Sequence, residues 1–562
     1  MEMQRRQFIQ GAAALGAGAL VASLTGCATG PSTSMSDTGT DTATSGGAEI
    51  PQGFAAEDFE ESAVILEPIT DFVKEHTYDI VVVGAGTAGL PAVLTALEEG
   101  ATVACLQKES TAISQGCAGA GACLQESTEL GIKRFMSTYA ELCEYRVNYE
   151  LLKTYVEHSG ETIMWISRQA QEAGYPNAKN SSEVFEYGEG AQVLYIKNDS
   201  AVKPESNLQL IQALAAMAED RGADFYYSTP GVQLIKDSEG SVTGVVGQTS
   251  DGFELFNATK AVILATGDYQ NNSSMVDRFS PDLSRFARKQ VNKTGDGILM
   301  SAMAGGHITP VHHSRQMHDF DSGPMPDEPF LCVNENGDRF MNESMPSTSA
   351  VNILRFQDAA DPGKYSMIFD SNYQTQVTDW GGRPADEAKL RQYVPGEGGG
   401  EGVVESLIDT HYADTLDELA DKLGIPAANL IASVERYNEL AKSGVDVDFG
   451  KDQAYLKPID TPPFWGRHRW IRITATCGGI AVNGNYQVID SQNEPIPGLY
   501  ATGFGAGDLC GAADWSIYWA GMSVGSCMNS GRVAALHAIT GALEPSHPAE
   551  WDEFKETYTA SK

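Results

Sequence analysis

Tyr78-Asp79-Ile80-Val81-Val82-Val83 ends in an apolar run whose β-branching and lack of polar alternation predict a buried strand. It leads without a break into Gly84-Ala85-Gly86-Thr87-Ala88-Gly89, and the next residues predict a helix from Leu90 to Glu99. A second strand is predicted from Thr102 to Leu106. Ala261-Val262-Ile263-Leu264 repeats the form and ends in the small-residue turn Ala265-Thr266-Gly267. Pro497-Gly498-Leu499-Tyr500-Ala501-Thr502-Gly503 repeats it again, followed by small residues and a helix ending near Gly531-Arg532. Strands feeding helices through glycine turns place the body of the chain in the α/β class.

The N-terminus has a different pattern. Gln4-Arg5-Arg6-Gln7-Phe8-Ile9 precedes an apolar run from Gly11 to Leu24, which is shorter than the roughly twenty residues of a spanning helix. The run ends in Leu24-Thr25-Gly26-Cys27, which looks like a lipobox in which Cys27 is acylated and becomes the mature N-terminus. An arginine pair before such a run marks twin-arginine export, which carries proteins already folded around a cofactor. From Ala28 to about Gly53 the chain is Ser, Thr, Gly, Asp and Pro with almost nothing to bury, so a disordered tether is expected. No other segment has the length and apolarity of a membrane span.

Charge and cysteines narrow the field. The 562 residues carry 38 basic and 75 acidic side chains, a net charge of −37 that would repel nucleic acid. Nine cysteines without a CxxC pair exclude a zinc-ribbon array, and no CxxCH is present for c-type haem. Most are expected to be small buried hydrophobes, and no metal site is read from the sequence. The strand–loop–helix order around Gly84 is the context a dinucleotide fingerprint requires. Gly84 permits the tight turn, Gly86 lets the backbone approach a pyrophosphate, and Gly89 lets helix and strand pack closely. The acidic ribose partner expected after the second strand is replaced by Gln107, an uncharged hydrogen-bonding substitute, with Glu109 as the alternative.

With Thr294-Gly295-Asp296-Gly297, the GAGTAG, ILATG, TGDG and GLYATG segments stand in the order and at the spacing of a known family. From about Tyr78 to Ala535 the chain resembles the fumarate reductase/flavocytochrome c family of FAD-dependent reductases, which also includes urocanate reductases and 3-ketosteroid Δ1-dehydrogenases. The resemblance implies a Rossmann-like, GR2-type FAD-binding domain with an inserted α+β capping domain. The expected organisation is a signal peptide over 1–27, a linker over 28–70, the FAD-binding domain over 71–311 and 475–562, and the cap over 312–474. FAD is expected to lie against Gly84, Gly86, Thr87, Ala88, Gly89, Gln107, Lys108, Gly116, Thr266, Gly267, Asp296, Gly503, Asp508, Gly521, Ser523 and Val524. Phe504 stands where family reductases usually have a Glu, with Asp508 four residues on. Ser110 stands at the offset of the His that tethers flavin in membrane-complex relatives, so the FAD is expected to be non-covalent.

The substrate positions depart further. Gly337-Asp338-Arg339-Phe340-Met341-Asn342-Glu343 matches the family's GxRFxNE motif, but Ser347 stands where the proton-donating Arg belongs. Thr474-Ala475-Thr476-Cys477-Gly478-Gly479 lacks the His-His pair of the dicarboxylate enzymes, and Ser516-Ile517-Tyr518-Trp519-Ala520-Gly521 lacks their second clamp Arg. A buried dianion would be left uncompensated without them. Tyr518 falls where the ketosteroid enzymes place a Tyr whose hydroxyl holds a ketone oxygen; it is read either as that anchor or as a core aromatic. His312, His313 and His318, with Arg315 between them, are read either as solvated loop histidines or as the proton source, His318 being the family-matched position. Ser347 is a water-mediated alternative, and Arg339 has the family position that holds the cap.

The resemblance implies hydride transfer from reduced flavin N5 to the β-carbon of an activated double bond, in an enone, enoate or aryl-conjugated acceptor. The alternatives are the reverse chemistry of a ketosteroid dehydrogenase, or a flavin-loaded carrier without turnover. A single dinucleotide fingerprint and no haem motif imply a separate membrane-linked donor, a cytochrome or flavin carrier. The enzyme is expected on the outer face of the cytoplasmic membrane, held by its lipid, in anaerobic respiration.

Overall fold

The computed structural model describes residues 49–562, apart from 115, 117, 176–178, 200–207, 310–312, 319–322, 326–327, 346, 401–402, 404–406, 513, 516–518 and 561–562. The Tat and lipobox segment, the first part of the tether, His312 and Tyr518 therefore lie outside the described residues.

The apolar runs build the centre of an eight-stranded sheet. Its path is Gln487–Ile489, Pro495–Ala501, Gly252–Leu264, Lys74–Val83, Val103–Leu106 and Asp224–Tyr226, with Gly231–Lys236 and Val242–Thr249 joined beside Gly252–Leu264. The central pairs are parallel: Ile80–Val83 lie against Val103–Leu106 on one side and against Ala261–Leu264 on the other. Burial on both faces explains why these stretches read as continuous apolar runs. Ile80, Val81 and Val82 have no exposed surface. The hairpin Gly231–Lys236/Val242–Thr249 and the strand Gln487–Ile489 pair antiparallel, so the sheet is mixed.

The helix Gly89–Glu98 is apolar around most of its circumference because it is enclosed. The sheet lies on one side and the C-terminal helix Met522–Thr540 on another, where Gly531 brings the two helices to van der Waals contact. A methyl on Gly531 would meet the Ala88 carbonyl oxygen at 1.9 Å.

The cap is a separate layer. Leu331–Val333, Lys364–Phe369, Phe464–Trp470 and Thr410–Ala413 form a four-stranded antiparallel sheet, covered by the helices Leu416–Leu423 and Ala427–Ser443. Leu331, Ile368, Leu419, Leu423, Leu430 and Val434 form an apolar core of their own there. The chain leaves the cap through Arg472–Thr476, which pairs antiparallel with Arg315–His318.

One boundary differs from the sequence reading. The linker expected over 28–70 is bound to the FAD-binding domain from residue 49 onward. Phe59 and Val64 are buried, and Phe54 stacks edge-on against Phe279 at 5.9 Å. Asp58, fully buried, accepts from Ser274 Oγ at 2.6 Å and pairs with Arg278 at 3.3 Å. These few apolar and acidic anchors are scattered among small residues, so composition alone did not separate them from the tether. No helix among the described residues is long and apolar enough to cross a membrane.

Candidate active site and flavin cleft

The fingerprint loop forms one wall of a cleft with about 770 Å³ of empty space, part of it open solvent. Gly84, Gly86, Gln107, Lys108, Thr266 and Asp296 all line it, from the ends of three neighbouring strands and the start of the helix Asp296–Met303. The three fingerprint glycines have different neighbours. Gly84 has φ +110°, and a Cβ there would lie 2.4 Å from the Ala265 carbonyl oxygen. A Cβ on Gly89 would lie 1.8 Å from the Gly84 carbonyl oxygen. Gly86 is different: the nearest atom to its absent Cβ is the Ile113 carbonyl at 3.4 Å. Two glycines are needed by the protein's own packing, and the third leaves room over the cleft. The helix Gly89–Glu98 starts beside that room, so the positive end of its dipole is available to an anionic diphosphate. The residues present thus fit FAD.

The side chains around the cleft are braced. Lys108 Nζ donates to Thr294 Oγ1 at 2.8 Å and pairs with Asp296 at 3.1 Å. Thr266 Oγ1 accepts from Gly297 N–H at 3.0 Å, tying the TGDG segment to the ATG turn. Thr87 and Ser114 hydroxyls bond across the loop. Gln107, expected to face ribose, accepts from Ala85 N–H at 3.1 Å and donates to the Thr111 carbonyl at 3.0 Å, so its amide also holds the fingerprint loop. Glu109 accepts from Asn292 at 2.6 Å.

A second group surrounds the start of the C-terminal helix. Gly521 is its N-cap at φ +91°, and its carbonyl accepts from Ala120 N–H at 3.1 Å. Ser523 and Val524 form the first turn, and Val524 packs over Gly116, whose φ is +96°. Gly503, at φ +63°, donates to Ser530 Oγ at 2.9 Å. Asp508 is buried, and its carbonyl accepts from Asn148 N–H at 2.8 Å. Gly267, at φ +81°, faces the side chain of Lys293.

Between these groups, four segments meet at the turn Cys477-Gly478-Gly479. Gly478 is covered by the His313 ring, which would lie 2.2 Å from a Cβ. Gly479 packs equally closely on the Gly505 carbonyl. Cys477 N–H donates to the Ser314 carbonyl at 2.7 Å, and Thr476 N–H to Asp268 Oδ2 at 2.9 Å. Asp268 follows the ATG turn directly and is almost fully buried. Burial pushes its carboxyl up to about 6, against the opposing pull of Lys293 and its hydrogen bonds. The sequence reading did not single out Asp268; an acid directly after a small-residue strand turn was the available signal.

The candidate substrate residues divide. His313 is buried, bonds Tyr269 Oη at 2.7 Å and stacks on Phe279 at 4.7 Å, which differs from a solvated loop histidine. Arg315 is also buried and pairs with Asp282 at 2.7 Å and Asp514 at 3.2 Å. His318 ends the strand Arg315–His318 and Ser347 begins the helix Ser347–Leu354, but their side chains lie outside the description. Arg339 sits in the cap, held by Glu343 at 2.9 Å and Asp446 at 2.8 Å and stacked on Tyr437 and Phe449. Lys451 completes this buried cluster, 3.2 Å from Glu343. That placement gives Arg339 an architectural task within the cap. The seven described cysteines are buried free thiols, and Cys143 Sγ donates to Cys510 Sγ at 3.4 Å.

Residues 79–514 match the FAD binding domain family, and residues 2–22 match the twin-arginine translocation pathway signal sequence. The chain is 28% identical to vinyl phenol reductase of Lactiplantibacillus plantarum over 83% of its own length and 97% of that protein. It is 26% identical to urocanate reductase of Eggerthella lenta, covering 77% of this chain and 70% of that one. Among solved structures it is similar to the open conformation of a flavocytochrome c3 fumarate reductase, with a TM-score of 0.67 and 24% identity over 84% of this chain and 80% of the other. A match spanning most of the sequence, on a cleft whose glycines and helix start suit a diphosphate, means that the chain belongs to the FAD binding domain family and is an FAD-dependent oxidoreductase.

Proposed function

We propose that the protein reduces an activated carbon–carbon double bond conjugated to an aryl ring or a carbonyl group, outside the cytoplasmic membrane, and holds itself there by a lipid on Cys27. The observation that carries this reading is the replacement of three dicarboxylate-binding positions: Thr474 and Ala475 for the His pair, Ser347 for the Arg donor, and a Tyr518-containing run for the second clamp. A dianion placed there would lose its hydration without gaining a cation. A neutral conjugated alkene has no such cost and a singly charged one has less of it, and the similarity to reductases named for vinyl phenol and urocanate points the same way.

FAD, when bound, supplies the hydride. The chain's residues supply position and proton chemistry. Arg315 pairs with Asp514, four residues before Tyr518 in the chain, and the Tyr518 hydroxyl is the proposed donor to an acceptor oxygen where negative charge develops. His313, held by Tyr269, packs against the turn at Gly478. His318 is the proposed proton source, with Ser347 as a relay. Electrons come from a separate membrane-linked donor, which suits anaerobic respiration.

The test is re-oxidation of viologen-reduced holoenzyme by a panel of alkenes. Turnover is expected with a vinyl phenol, a cinnamate-like enoate or an aryl acrylate, and fumarate is expected to be a poor acceptor. Equal rates with fumarate and the best alkene would overturn the pocket assignment. Reduction of the flavin by a ketosteroid would favour the reverse chemistry, and silence toward every compound would leave a carrier. Tyr518→Phe should lower the rate with the true acceptor by roughly ten- to a thousandfold while FAD stays bound.

A further inference from the structure

Three side chains that the flavin chemistry does not use converge at the edge of the cap sheet. Asp409 directly precedes the edge strand Thr410–Ala413, which carries His411, and His468 lies on the adjacent strand Phe464–Trp470. Asp409 Oδ1 is 3.0 Å from His411 Nε2, and Asp409 Oδ2 is 2.9 Å from His468 Nδ1. One donor atom from each residue lies within 4.8 Å of the other two. Among the described residues this is the only group of three or more His, Cys, Asp or Glu that converges in this way.

Two imidazoles and one carboxylate form the donor set of a borderline divalent ion such as zinc, with bonds near 2.0–2.2 Å. Tetrahedral geometry at such bond lengths separates neighbouring donors by about 3.3 Å. The two carboxylate–imidazole spacings, one to each oxygen of Asp409, need an opening of a few tenths of an ångström, and the donor atoms of the two imidazoles already lie within 4.8 Å of one another. A further contact supports this arrangement. His468 Nε2 is 2.9 Å from the carbonyl of Leu423, the last residue of the helix Leu416–Leu423. That carbonyl can only accept, so Nε2 carries a hydrogen; Nδ1 faces a carboxylate oxygen at 2.9 Å, so the metal-free ring donates from both nitrogens, and an ion bound at Nδ1 would displace that proton while Nε2–H keeps the ring oriented. A carbonyl behind a metal-bound imidazole is the usual outer support of such a ligand. Partial exposure of Asp409 and His468 leaves one side open for water and for access by the ion.

We propose that Asp409, His411 and His468 bind one zinc-class divalent ion, joining the edge strand to its neighbour and to the helix end behind it. This site is independent of the substrate reading given above. The test uses the full mature holoprotein, stripped with EDTA and titrated with Zn²⁺ by calorimetry and with Co²⁺ by its ligand-field bands. One equivalent is expected, with a raised melting temperature and unchanged FAD content. His411→Ala and His468→Ala should each lose that equivalent or weaken it by at least about a hundredfold. Asp409→Asn, a nearly isosteric change, should weaken it while the metal-free melting temperature stays close to wild type. Wild-type protein that takes up no ion, or variants that keep the full equivalent, would overturn the proposal. In the first case the cluster is a carboxylate shared by two imidazoles and nothing more.

Discussion

Gly86 and Gly89 stand three residues apart in one loop and carry opposite constraints. A Cβ at Gly89 would enter the Gly84 carbonyl at 1.8 Å, so Gly89→Ala must move backbone and should lose both stability and flavin. At Gly86 the nearest atom is 3.4 Å away, so Gly86→Ala should keep the melting temperature of flavin-free protein nearly unchanged. It should still weaken FAD by about tenfold or more, because the methyl occupies the space the pyrophosphate needs. Flavin content and thermal unfolding measured on both variants separate the two effects. Ser110, standing where a tethering His would be, gives a second expectation: acid precipitation should release all of the flavin to the supernatant. These roles were legible in the sequence because they depend on local spacing. The position of Asp268 was not, since its environment is built by Thr476, 208 residues away.

The cap depends on an ionic cluster as well as on its apolar core. Glu343, Asp446 and Lys451 are buried and the side chain of Arg339 is largely covered, with two cations facing two carboxylates. Burial alone would push the Asp446 carboxyl up, but Arg339 and the N–H groups of Lys451 and Phe449 hold it down to about 2. Its pKa in the unfolded chain is near 3.8, so its contribution is complete above about pH 4 and is lost as pH falls toward 2. That contribution is about 2 kcal/mol. Arg339→Ala strands two buried carboxylates against Lys451 alone and should cost about 3–5 kcal/mol at neutral pH. The same variant should flatten the acid limb of the stability curve between pH 4 and 2. Denaturant unfolding across that range checks both. A role confined to catalysis would instead leave stability intact and lower turnover alone.

At the scale of the whole molecule, the strongly acidic chain has to reach the far side of a membrane with its cofactor inside. Replacing Arg5 and Arg6 by Lys should retain the folded precursor in the cytoplasm, as fractionation would show. Cys27→Ser should export the protein but release it from the membrane fraction, because the lipid on Cys27 is its proposed attachment. The cap and the FAD-binding domain meet through the strand pair Arg315–His318 and Arg472–Thr476, and the turn at Gly478 lies directly beyond it. A side chain at Gly478 would displace His313.

The sequence alone determined the address signal, the α/β class, the dinucleotide loop and the family, because each resides in a short window whose residue spacing carries its own physics. A buried parallel strand is apolar throughout, and a diphosphate loop needs glycine at set intervals. Tertiary structure alone decided where the tether ends, that Gln107 braces the loop, that Arg339 serves the cap, and that His313 is a core residue. It also brought Asp409 within reach of His468, 59 residues away. These outcomes depend on which distant segments share a dielectric environment and a hydrogen-bond partner, and chain order does not encode that proximity in any local pattern.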